Sequence, residues 1–314
     1  MTNKKMIALI IAIFIFTNIA IAATNSPFQF LRYNGSARGA ALAGCMVSMP
    51  GDPNSLFYNP ATIATVEDKK FSVTFLKHIL DINSGNISYI RDFSDLGTFA
   101  GSVVYTNYGS FDAADEYGNI TGSFGANDLA FQGTYANELD SNLYWGATLK
   151  LLYVNIENEA SFGFAVDAGI LYLLPDGRTN IGASVLHVGS QIVAYNDFFE
   201  SLPLDVRLGV NHRLEGLPLL VNFSLHHLAD DTDEFFDKFR NFSVAGELYL
   251  GESIQVRLGY DNQVRTLTTP STDRGFAGLS AGAGFKSKNF DIDYGLAQYG
   301  NSAILHRFSV RLDL

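Results

Sequence analysis

The sequence predicts an all-β protein, a 14-stranded antiparallel transmembrane β-barrel with an N-terminal plug segment. Three observations lead there. Apolar and polar residues alternate with period two through residues 70–314, the pattern of strands with one oily and one wet face. Connections after even-numbered strands are short and those after odd-numbered strands are mostly longer, the asymmetry of outer-membrane barrels, whose short turns are periplasmic. The composition is 47% hydrophobic and 13% aromatic but only 17% charged, against about 25% charged in an ordinary soluble domain.

Residues 1–23 read as an address. Lys4 and Lys5 precede an apolar run over 6–16 that continues through Ile19 and Ile21, and Ala20, Ala22 and Ala23 follow. A basic start, an apolar core and a small-residue end describe a secretory signal peptide, cut after Ala22 or Ala23. An uncleaved anchor helix is the alternative. Leu42-Ala43-Gly44-Cys45 spells a lipoprotein cleavage box, but it lies about twenty residues beyond the apolar core it would have to follow. Cys45 therefore reads as a small buried residue. No later segment approaches the roughly 18 apolar residues of a membrane helix.

Residues 24–69 do not alternate and have the size of a plug for the barrel mouth. Small residues crowd 35–44 and permit close backbone packing. Asn54-Ser55 is expected to cap a short helical turn that stops before Pro60. Arg38, flanked by Gly35, Ser36, Ala37, Gly39 and Ala40, must reach past its neighbours for a partner. It is expected to tether plug to wall, with Asp167, Asp205, Glu247, Asp291 and Asp293 as candidate acceptors.

Strands are predicted at 70–78, 86–93, 97–107, 127–138, 142–155, 159–174, 178–189, 203–214, 218–228, 240–250, 253–261, 276–286, 289–298 and 303–313. At 254–260, Ile254, Val256, Leu258 and Tyr260 alternate with Gln255, Arg257 and Gly259. The longest connection is expected at 108–126. A soluble β-sandwich also alternates, but nothing in it would alternate loop lengths. A propeller would need a repeat of about 40–50 residues, and none is present. Fourteen strands close into a barrel about 28 Å across, too wide for wall side chains to fill. If the register is right, Val256→Arg should impair assembly more than Arg257→Val.

The inward register collects Lys150, Asp167, Asp205, Arg207, Arg213, Glu247, Arg257, Asp291, Asp293, Arg307 and Arg311. Charges are tolerated in a lumen and penalised against lipid. Two readings follow: an ion-pair lattice holding plug to wall, or a conduit for polar solutes.

Other motifs are weak. Gly278-Leu279-Ser280-Ala281-Gly282 matches a nucleophile elbow, which requires a strand-to-helix turn that a strand interior does not offer. His226 and His227, on successive strand positions, would point to opposite faces and not share a metal. The cluster Asp230, Asp231, Asp233, Glu234 and Asp237 reads as a solvated charge run rather than a calcium site, because the glycine and spacing of a calcium loop are missing. The net charge of −11 argues against a nucleic-acid partner, and the single Cys excludes an intrachain disulfide framework. No enzyme activity, metal or cofactor is expected.

The order Ser36-Ala37-Arg38, Gly44, Asp52 and Asn59-Pro60-Ala61 resembles the PorV/PorQ family of FadL-like outer-membrane barrels. The stretches 108–119, 121–124 and 127–130, Ser161-Phe162-Gly163, 167–172 and Leu202-Pro203-Leu204 look like its PorQ branch. The likeness runs over the whole mature chain. It departs at Thr62-Ile63, where fatty-acid channels tend to have Gly-Leu. The resemblance implies a 14-stranded outer-membrane barrel of the type IX secretion and surface-attachment machinery, anchoring a surface or periplasmic partner protein through its loops. A FadL-like channel for hydrophobic small molecules is the alternative. A channel should offer an oily internal pocket and a wall opening; an anchor should have a filled bore and a large ordered outer surface.

Overall fold

In the computed structural model, residues 26, 28–33, 35–78, 81–195, 199–232, 234–268, 274–301 and 303–314 are described. Residues 1–23, expected to be a signal peptide, and Asp233 lie outside them. The wall consists of β1 (Lys70–Lys77), β2 (Asn83–Asp92), β3 (Thr98–Ala114), β4 (Ile120–Asp140), β5 (Leu143–Ile156), β6 (Glu159–Leu173), β7 (Thr179–Val193), β8 (Asp205–Arg213), β9 (Leu219–Leu225), β10 (Phe242–Leu250), β11 (Ile254–Asp261), β12 (Leu279–Lys286), β13 (Phe290–Gln298) and β14 (Ile304–Asp313). Each strand pairs with its sequence neighbours, and β1 closes on β14 from Lys70↔Asp313 to Lys77↔His306, giving a closed 14-stranded antiparallel barrel. Where the ladder is closed it leaves no unpaired sheet edge, the condition for a wall in lipid.

The two faces of the wall differ as the alternation requires. Phe75, Ile87, Phe131, Leu149, Leu151, Leu258 and Phe308 are exposed on the outside, whereas Ser72, Thr74, Thr148, Glu247 and Arg257 are buried within. An apolar exterior around a polar, filled interior inverts a soluble protein and is the membrane arrangement.

The barrel is lopsided. Strands β3 to β7 have 14 to 21 residues, and β8 to β14 have 7 to 10. The tall side contains the main departure from the sequence reading. The expected loop at 108–126 is instead a hairpin, with β3 reaching Ala114 and β4 starting at Ile120. Asp115 Oδ1 accepts from the Tyr117 and Asn119 amides to build its tip, and Phe111 stacks on Phe124 at 5.4 Å. Alternation fails there because both faces of a hairpin standing above the membrane meet water. The tall wall steps down sharply: the β7–β8 ladder ends at Leu186↔Asp205, while β7 continues to Val193.

Plug residues fill the bore. Leu42, Met46, Val47, Leu56 and Ile63 are fully buried in one apolar cluster with Val104, Ala130, Leu152 and Ala165 of the wall. Cys45 is a free, buried thiol within it.

Candidate functional site

The plug is a chain of short capped turns. Ser36 Oγ accepts from the Gly39 amide at 3.0 Å and starts the helix Ala37–Ala41. Gly44, at φ +79°, turns the chain out of it. Asp52 Oδ1 accepts from the Asn54 amide at 2.9 Å and starts the 3-10 turn Pro53–Phe57. The cap is therefore Asp52; Asn54 and Ser55, expected in that role, lie inside the turn. Asp52 wins because Pro53 after it has its φ fixed for a first helical position. Asn59 Oδ1 likewise accepts from the Ala61 amide and starts Pro60–Thr65.

The same residues dock the plug. Asn59 Nδ2 donates to the Val47 carbonyl of the plug and the Ile170 carbonyl of the wall, both at 2.8 Å. The Ala37 amide donates to Ser309 Oγ at 2.8 Å. Asn211 Nδ2 donates to the Ser48 carbonyl at 2.7 Å. Backbones meet so closely that wall glycines are required: a Cβ at Gly182 would lie 2.2 Å from the Val47 carbonyl oxygen, and one at Gly146 would lie 2.6 Å from the carbonyl of Pro60.

Six charged side chains form a closed ring between plug and wall. Arg38 donates to Glu247 through Nε and Nη2, and through Nη1 to Asp52 at 2.9 Å. Glu247 accepts from Arg257 at 2.6 Å, and Arg257 reaches Asp293 at 2.6 Å. Arg311 bonds Asp293 and Asp52, each at 2.8 Å, which returns the ring to the plug. Asp291 hangs on Arg311 at 3.3 Å. Three cations alternate with three anions, so the ring itself is neutral. Glu247 and Arg257 face each other in the β10–β11 register, but Arg257 must cross β12 to reach β13. Gly284 makes room: a Cβ there would lie 2.5 Å from Asp293 Oδ1 and 2.6 Å from Arg257 Nη2. Among the acceptors weighed for Arg38, the wall supplies Glu247.

The ring alters one sequence expectation. Val256 is exposed on the outer face and Arg257 is buried, so the register at β11 stands. Arg257→Val, however, would strip a partner from two buried carboxylates and is not the mild change that alternation alone suggests.

The remaining inward charges fall into further groups. Lys150 Nζ lies 2.6 Å from Asp167 Oδ2 and 3.0 Å from His187 Nδ1. Arg207 lies 2.6 Å from Asp205, its guanidinium over the Tyr58 ring. Arg307 donates to the Tyr33 carbonyl at 3.3 Å. Arg213 sits over the Tyr249 ring near the short-turn rim. Arg32 of the plug forks onto Asp230, so Asp230 is a buried tether and not part of a solvated run. Sequence reasoning did not flag Arg32 or His187. His187 lies at a bulge with φ +64°, where the inward parity switches from Ser184 to Gln191, the one available signal.

His226 and His227 also depart from expectation. β9 ends at Leu225, and φ +54° at His227 turns the chain, so the rings meet edge to face at 4.9 Å and both line one cavity. Burial pushes the His226 imidazole down to about 4, with nearby Asp261 opposing. Burial also lowers His227, against the pull of Asp205. No group of three or more His, Cys, Asp or Glu side chains among the described residues is arranged to hold a metal ion. Ser280 Oγ donates to the plug carbonyl of Ala41 at 3.0 Å; it lies in β12, not on a turn into a helix.

Among the described residues, cavities flank the plug on both sides. The outer one, about 700 Å³, has Ala40, Ala43 and Tyr58 of the plug beside Val264, Leu267 and Leu279, with Arg32, Arg207, Arg307, His226, His227 and Asp261 around them. The other, about 480 Å³, opens at the short-turn rim between Arg38, Met49 and Pro50 of the plug and Arg178, Arg213 and Tyr249.

No family model matches the sequence, and no curated protein matches it. Solved structures do. The chain is similar to the monoaromatic hydrocarbon channel CymD, at 12% identity and TM-score 0.59 over 90% of this chain and 98% of that one. It is similar to the toluene transporter TbuX of Ralstonia pickettii, at 14% identity and TM-score 0.58 over 89% and 97%. A FadL homologue of Pseudomonas aeruginosa matches at 12% identity and TM-score 0.54 over 89% and 98%. The chain thus has the FadL-like fold and is a multi-pass β-barrel of the outer membrane.

Proposed function

We propose that the chain is a plugged outer-membrane channel for small hydrophobic molecules, the plug acting as its gate. The observation that carries this reading is the series cavity, plug, cavity along one bore, inside a fold shared with hydrocarbon channels. The outer cavity combines an apolar patch with a polar surround, as sites for small organic ligands do. Uptake of radiolabelled toluene by cells carrying the chain, against cells without it, tests the reading. Faster uptake is expected; equal rates would overturn it.

A second reading keeps the type IX secretion and attachment role. It is favoured by the tall β3–β4 hairpin, whose Phe111, Tyr117 and Ile120 are exposed. At about 2.6 Å of height per tilted residue, β4 stands roughly 30 Å above a 25 Å apolar band. Apolar groups at that height are out of reach of lipid and suit a protein partner. Deleting 110–124 should abolish capture of any specific partner from membranes while leaving toluene uptake intact.

A further inference from the structure

The short side of the barrel is too short for its membrane. Strands β9, β10, β11 and β12 have 7, 9, 8 and 8 residues, which at about 2.6 Å per tilted residue span roughly 18–23 Å of a 25 Å apolar band. The lower edge is fixed by exposed apolar residues at the short turns, Leu217, Leu250 and Ile254. Counting up about ten residues from Leu250 puts the upper edge at Arg240, beyond the end of β10.

The chain at that height is the 3-10 turn Phe235–Arg240, where Phe235, Phe236 and Phe239 are exposed by 69%, 76% and 46%. Their rings pack on one another with centroids 5.6 to 6.4 Å apart, forming one apolar knuckle. It continues an aromatic row on the outer face, in which Phe242 stacks on Phe223 and meets Tyr260. The turn ends in Lys238 and Arg240, which suit lipid phosphates at headgroup level. In the neighbouring loop Phe276 is 68% exposed.

We propose that Phe235, Phe236 and Phe239 insert into the outer leaflet, completing the apolar band over the short strands. The occupant of this surface is lipid, because the knuckle is continuous with the lipid-facing wall and begins where the wall runs out. The consequence is functional. The same loop carries His226, His227 and Asp230, which line the outer cavity, so the lipid anchor holds one side of its mouth.

The test uses the full mature chain with Trp145→Phe, which removes the single native Trp, and Phe236→Trp. It is folded into phosphatidylcholine vesicles whose acyl chains are brominated near the headgroup. Heat-modifiability reports folding, and Phe239→Trp serves if the first variant does not fold. The proposal expects the new indole to lose intensity in brominated vesicles to an extent comparable with Trp145 of the otherwise native chain, which is on the outer wall, and to be shielded from acrylamide. Free quenching by acrylamide with no effect of bromine would overturn it. So would protection from both quenchers, which would mean a protein contact in place of lipid.

Discussion

Arg38→Ala should open the plug without unfolding the barrel. The guanidinium satisfies Glu247 in two places and Asp52 in a third, with only 11% of its side chain exposed. Removing one partner from a buried ion pair costs about 3–5 kcal/mol. The low end applies, since Glu247 keeps Arg257 and the Tyr249 hydroxyl, and Asp52 keeps Arg311. At 1.4 kcal/mol per tenfold, a loss of about 3 kcal/mol raises the open fraction roughly a hundredfold. The loss falls on the plug because the wall is held by its own closed ladder. Planar-bilayer conductance should therefore show openings far more frequent than those of the native chain, while the protein remains heat-modifiable. Arg38→Lys, which keeps the charge but not the fork, should lie between. Native-like conductance in a folded Arg38→Ala barrel would refute the reasoning.

Three further outcomes are expected. Arg257→Val should impair assembly at least as much as Val256→Arg: it deprives buried Glu247 and Asp293 of a partner, whereas Arg at mid-membrane costs about 2–4 kcal/mol; ready folding of Arg257→Val beside a failing Val256→Arg would contradict this. Gly284→Val should mimic ring opening in the conductance assay, since its side chain would occupy the space between Arg257 and Asp293; silent bilayers would count against it. The outer loop should loosen in acid. His226 is held at about 4 against about 6.5 unfolded, so its contribution, on the order of 3 kcal/mol, is present above pH 6.5 and is lost as pH falls toward 4. It faces Ser243, Asp261, His227, Asp205 and Arg207. Proteolysis within 226–241 should rise over that window in the native chain and not in His226→Gln; identical profiles would exclude the histidine.

Much of the wall was legible because period two is a property of each strand alone. The parity that put Glu247, Arg257, Asp293 and Arg311 inside needed no tertiary knowledge. Which of them meet was not legible, because the ring depends on relative depth and on Gly284 letting one side chain cross a strand. The hairpin above 107 escaped for a related reason, since alternation reports a contrast between oil and water that ends at the membrane surface. Alternation does not reach His226 and His227, because the strand ends at Leu225 and the left-handed backbone at His227 turns the chain.

Gating by the plug is tested most directly by tying it to the wall. Ala37 and Ser309 touch through a 2.8 Å hydrogen bond, so Ala37→Cys with Ser309→Cys, in a Cys45→Ser background, offers a disulfide between them. With the cross-link formed, toluene uptake should fall to that of cells without the chain and recover on adding reductant. Uptake that is unchanged between the oxidised and reduced forms, with the cross-link verified, would contradict a plug that gates the bore.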